Sequence, residues 1–138
     1  MVALLIAILT LTFLNPHGLI DFDKLEGYDL LVAERGGPAN CLTTLKLKDD
    51  FTFKERVVCF GVSETSGTYR LVNDTIYFDK VRHSTQDDEY YKFAIIKTTK
   101  ATNIKILSDL IMYKNIADTT GRELWITKNE LSKLNDKN

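Results

Sequence analysis

Cysteine, proline, histidine and tryptophan are scarce in this chain, with two, two, two and one copies among 138 residues. The cysteines, Cys41 and Cys59, form no C-x-x-C pair, which removes a thioredoxin-type redox motif and the paired ligand spacing of structural zinc. His17 lies at the edge of an apolar segment, and His83 has no spacing that assembles a catalytic triad. An excess of basic residues is also missing. Lys and Arg total 18 against 19 Asp and Glu, so the net charge is -1 and no basic stripe marks a nucleic-acid binder. The chain contains no G-x-S-x-G, Walker A or dinucleotide fingerprint, so no cofactor is implied. Internal repeats and low-complexity tracts are absent too.

What is present divides at about residue 20. Met1 to Leu14 (MVALLIAILTLTFL) carries no charge. At ~1.5 Å per residue this run covers about two-thirds of a bilayer's ~30 Å hydrocarbon core. Extension to Ile20 reaches the ~20 residues a span requires, with Pro16 near its end. No Lys or Arg precedes the run and no A-x-A cleavage pattern follows it. A membrane anchor, an atypical signal sequence and a buried core helix all fit the pattern. Its lack of a polar face favours lipid, so residues 1–20 are expected to tether the domain formed by residues 21–138.

Beyond Asp21 the pattern has a period of two. Tyr28 to Glu34 reads as a first strand, stopped by Gly36-Gly37-Pro38. Cys41, Thr43, Leu45 and Leu47 share one face of the next run. Phe51, Phe53, Val57 and Cys59 share one face of the run after it, with Glu55 as the misfit. A three-residue loop centred on Asp50 sets Leu47 against Phe53, Thr43 against Val57 and Cys41 against Cys59. Opposed residues there lie about 4.5–5.5 Å apart, within disulfide range. The neighbouring allowed register opposes Cys41 to Val57 instead, leaving two free thiols packed as small apolar groups. The expected outcome is the bridge, which suits an oxidising compartment.

The second hairpin turns at Asn73-Asp74, residues that tolerate positive φ, and pairs Leu71 with Ile76 and Tyr69 with Phe78. Tyr90 to Lys97 supplies a further strand with Tyr91, Phe93 and Ile95 alternating. Ile104 to Leu107 and Leu110 to Tyr113 are ambiguous between strand and helix, and Glu123 to Thr127 reads as the closing strand. Thr127 and Glu130 match a capping box ahead of a short C-terminal helix carrying Leu131 and Leu134. The fold class is therefore mainly β: an antiparallel meander forming a small barrel or curled sheet.

Phe51, Phe53, Tyr69, Phe78, Tyr91 and Phe93 all fall on faces expected to point inward. In a closed barrel they fill the core or line a cavity, which makes Tyr69, Phe78, Tyr91 and Phe93 the candidate ligand contacts. His83 with Asp87, Asp88 and Glu89 is the densest group of possible metal ligands. It lacks the alternating carboxylates and central Gly of a calcium loop, and it reads as a solvated connection.

The runs FTFKERVVCFG and SGTYRLVNDTIYF resemble the strands of small, membrane-anchored, lipocalin-like envelope proteins of bacteria. In those a T-F strand is followed by a G-x-Y strand and an N-D-x-I-x-F hairpin. The chain lacks the G-x-W of true lipocalins near its first strand and is short for eight long strands. The resemblance implies a non-catalytic, tethered envelope domain that faces the periplasm or exterior and binds a protein or small-molecule partner. An apolar-ligand carrier and an immunity-type, toxin-neutralising protein are the alternatives, followed by a hydrolase built on His83 and the Asp87–Glu89 cluster.

Overall fold

The computed structural model describes residues 1–14, 26–83, 89–99 and 107–137. Eight strands follow one another in chain order and close into an antiparallel barrel. They are β1 (Asp29–Gly36), β2 (Leu42–Lys48), β3 (Thr52–Val58), β4 (Val62–Val72), β5 (Thr75–His83), β6 (Phe93–Thr99), β7 (Leu107–Tyr113) and β8 (Arg122–Asn129). β8 returns to pair with β1, setting Ala33 opposite Ile126 and Glu34 opposite Trp125. Eight strands fit the chain because most have only seven to nine residues, β4 being the exception at 11.

A helix, α1 (Val2–Leu14), precedes the barrel, and its 13 residues carry no charge. No helix among the described residues is long and apolar enough to cross a membrane. Residues 15–20 of the expected tether lie outside the described residues, as do His17, Asp87, Asp88 and Ile104.

Both hairpins take the expected registers. Leu47 faces Phe53 and Thr43 faces Val57, and one step further Cys41 and Cys59 form a disulfide with Cα atoms 4.4 Å apart. Tyr69 faces Phe78 and Leu71 faces Ile76, with Asn73 in the left-handed region at φ 54°. The interior below the disulfide is solid. Leu31, Leu45, Leu47, Phe53, Ile76, Leu110, Met112 and Leu124 are buried. Tyr69 is buried among them and donates its hydroxyl to the Lys48 carbonyl at 2.7 Å, so its polar tip is satisfied. Burial, reinforced by the charges of Asp50 and Asp49, pushes that phenol up to about 12.

Three expectations are corrected. Phe51 does not point inward: it sits in the β2–β3 turn at φ 63° and is 48% exposed. Its ring only leans on Tyr69, with centroids 5.8 Å apart. Phe93 faces out. Ile76 is buried and pairs with Ala94, so Ala94 takes the inward place, while Tyr77 and Phe93 share the outer one. Thr127 caps nothing, because β8 continues through it and its hydroxyl donates to the Val32 carbonyl. The cap belongs to Asn129, whose Oδ1 accepts the Leu131 N–H at 3.2 Å ahead of a 3-10 turn, Leu131–Lys137.

β5 changes face part-way. Ser66 of β4 pairs with Arg82 and Thr68 pairs with Asp79, leaving an extra residue on β5. Lys80, at φ 48°, occupies that bulge. Ile76 and Phe78 point inward before it, and Val81 packs on the core after it. An unbroken alternation would have carried Lys80 and Arg82 into the interior; instead both are exposed. Gly67 makes the bulge possible, since a Cβ there would lie 2.7 Å from the Asp79 carbonyl and 2.8 Å from the Phe53 ring.

Candidate functional site

In an up-and-down barrel alternate connections share one end. The β1–β2, β3–β4, β5–β6 and β7–β8 connections form the upper end, opposite the end where α1 leads in. At the upper end the interior turns polar. Glu55, the misfit of the β3 pattern, points inward and is buried, as is Thr43 on β2. Arg122 opens β8 and reaches across the lumen, donating Nη1 to Glu55 Oε1 at 3.1 Å and Nη2 to Thr43 Oγ1 at 2.8 Å. Tyr90 donates its hydroxyl to Glu55 Oε2 at 3.0 Å. Both carboxylate oxygens are thus engaged, and the Arg122 guanidinium lies 5.9 Å from the Tyr91 ring.

Tyr90 joins this network to the core. Its ring stacks on Phe53 at 5.4 Å and meets Phe78 and Tyr91 edge-on, both at 5.5 Å. Burial, and then the Glu55 charge, push its phenol well above the usual tyrosine range, so it stays a proton donor towards Glu55. Above it opens a cavity of about 240 Å³ lined by Glu55, Val57, Ser63, Thr65, His83, Glu89, Tyr91, Lys114 and Arg122, as well as Tyr90 itself. Thr65 Oγ1 and His83 Nδ1 are 3.2 Å apart. Among the described residues no carboxylate orients the other ring nitrogen, which a triad needs, and no group of three His, Cys, Asp or Glu side chains is placed to hold a metal.

The pairing makes a prediction. Truncation at Glu55 leaves Arg122 charged and unpaired at a partly wet site, since its side chain keeps 25% exposure. Glu55→Ala is expected to cost about 2–3 kcal/mol, below the full cost of breaking a buried pair, while Glu55→Leu combined with Arg122→Leu stays within about 1 kcal/mol of the parent. Urea unfolding of the three proteins checks this, and equal losses for the single and double variants would refute it.

Outside the lumen, the same end carries an apolar rim. Leu42, Val58 and Val62 form one cross-strand row on the outer face, all exposed. Phe60 stands at the tip of the β3–β4 turn, 96% exposed. It adopts φ 55° between Cys59 and Gly61, whose backbone closes the turn by a 2.8 Å hydrogen bond from Cys59 N–H to the Gly61 carbonyl. The disulfide ties that turn to Cys41, which is itself held by hydrogen bonds to Gly37 and Pro38. Ile116, equally exposed, stands across the same end on the β7–β8 connection. There Asp118 accepts the N–H groups of Lys114, Thr120 and Gly121, and those bonds, Lys114's above all, lower its carboxyl to about 2.

The four candidate ligand contacts do not converge. Tyr69 and Phe78 are core, Tyr91 lines the polar mouth, and Phe93 lies on the outer wall, stacked on Tyr113 at 5.2 Å. His83 and Glu89 do reach the mouth together. Phe60 and Arg122 escaped the sequence reading, although Val58, Phe60 and Val62 are visibly apolar residues on the parity assigned to water. No family model matches the chain, and neither a curated protein nor a solved structure matches it at a significant level.

Proposed function

We propose that this chain is a non-catalytic, membrane-tethered domain working in an oxidising compartment, and that it binds a protein partner through its upper rim. Phe60 is the inserted anchor, with Arg122 and Tyr91 as polar contacts in the mouth at the same end. The observation that carries the reading is an almost fully exposed phenyl ring fixed to a cross-linked turn beside an exposed apolar row. Such a ring has little freedom left to lose on binding, and aromatic and arginine side chains dominate interface energetics. A protein partner is favoured over an apolar small ligand because the lumen is already filled by its own side chains.

Two further features support the setting. The disulfide suits a compartment outside the reducing cytoplasm, and the charge-free α1 suits lipid better than water. The eight-stranded up-and-down closure agrees with the lipocalin-like resemblance, with a rim in place of a calyx. A toxin neutralised at the envelope would be one such partner.

The test is capture of partners from membranes by the full chain, its Phe60→Ser variant, and Val72→Ser as an exposed apolar control at the opposite end. Phe60→Ser is expected to weaken capture by roughly tenfold or more, the mark of an interface hot spot, with Val72→Ser unchanged. Equal capture by all three proteins refutes the reading.

A further inference from the structure

The bulge that expels Lys80 and Arg82 from the interior delivers them to a particular place. Lys46, Lys54, Ser66 and Arg82 form one row across β2, β3, β4 and β5 on the outer face. Lys80 stands beside that row, and a groove of about 360 Å³ runs from it towards the α1 end, lined also by Lys48 and by the hydroxyls of Thr52 and Thr68. Like charges set side by side on a sheet repel, so this arrangement calls for anions.

The groove has carboxylates of its own, Glu26 and Asp50, but they serve only half of it: Asp50 Oδ1 accepts the N–H and the hydroxyl of Thr52. Glu26 pairs with Lys54 at 2.7 Å and Lys48 at 3.0 Å, and Asp29 pairs with Lys46 at 3.0 Å and Lys48 at 3.2 Å. Hydrogen bonds from Lys54 and then Lys48 hold the Glu26 carboxyl down at about 2. No carboxylate lies within ion-pair distance of Lys80 or Arg82 among the described residues. Lys80 sits at a backbone conformation that is unfavourable for lysine, in a bulge that depends on Gly67 and that turns Arg82 to the same outer face.

We infer that this groove binds phosphate groups of an anionic membrane surface, with Lys80 and Arg82 as the contacts. The membrane as source is argued from position. Glu26 lines the groove only 12 residues after the last residue of α1, so a helix seated in lipid keeps the groove within reach of headgroups. This placement rests on the tether proposed above. The rim with Phe60 then points away from the bilayer, towards a partner. The chain's net charge of -1 gives no general attraction to anionic lipid, so a preference must come from a local patch.

The experiment is vesicle flotation of the full chain with phosphatidylglycerol and with phosphatidylcholine vesicles, together with a melting scan in inorganic phosphate. The parent is expected to favour phosphatidylglycerol. Lys80→Glu with Arg82→Glu should cost at least roughly 25-fold in that preference, about fivefold for each cation removed before the repulsion of the added carboxylates. Arg56→Glu with Lys97→Glu, the same charge change elsewhere on the outer wall, should cost far less. Equal losses in the two double variants overturn the inference, as does a parent without preference. A melting shift in phosphate alone, with no preference between vesicles, assigns the groove to the free ion and also overturns it. If the parent ignores neutral vesicles but still selects anionic ones through Lys80 and Arg82, the tether fails and the groove stands.

Discussion

Phe53→Ala is expected to destabilise the barrel by about 3–5 kcal/mol and to make it bind small apolar molecules. Phe53 is 1% exposed. Its ring lies 4.9 Å from Phe78 and 5.4 Å from Tyr90, and it covers Gly67 closely enough to exclude even a methyl group there. Its removal leaves a void walled by rings and leucines that cannot collapse, because closure of the sheet fixes the wall. Dry apolar voids of this kind take up benzene. Benzene should therefore raise the melting temperature of Phe53→Ala and leave the parent unmoved. If the parent itself gains stability from benzene, a lumen open to ligand already exists and the preference for a protein partner over an apolar small ligand is lost.

Reduction of the Cys41–Cys59 bridge should lower the melting temperature by roughly 10–15 °C. The bridge closes a loop of sequence separation 18, which contributes roughly 3 kcal/mol in the chain-entropy account. Each kilocalorie corresponds to about 4 °C in a domain of this size. The second consequence concerns binding. Without the cross-link the β3–β4 turn regains freedom, so capture through Phe60 should weaken even at temperatures where the reduced barrel is folded. Melting scans and capture with Cys41→Ser combined with Cys59→Ser measure both. A double serine variant as stable as the parent would show that strand pairing alone holds the rim.

The two hairpins were legible because their inward residues share one parity and their loops are short, so a slip by one residue would wet a whole face. The disulfide followed from the first of them. β6 was legible as a strand but its inward face was not, for a physical reason: its two faces offer Phe93 and Ile95 or Ala94 and Ile96, both apolar. Only the partner strand, through Ile76 against Ala94, decides between them. Phe51 was misplaced because strand alternation was continued into a turn. The capping box at Thr127 failed because tertiary pairing with β1 extends β8 past the local signal. The bulge at Lys80 leaves no mark in the sequence beyond an even-numbered run that would bury two cations. Glu55 did leave a mark, since a carboxylate on a buried parity requires a partner. Its partner, Arg122, lies far along the chain, and pattern reading has no access to such separations.

Closure also sets an order of events for the nascent chain. β1 stands between β2 and β8, so one side of it stays bare until β8 has emerged from the ribosome. Until Arg122–Asn129 arrives, β1 and β7 present unpaired backbone that neighbouring chains can recruit. A premature stop ahead of that last ribbon would therefore yield a sticky, open sheet in place of a shorter barrel.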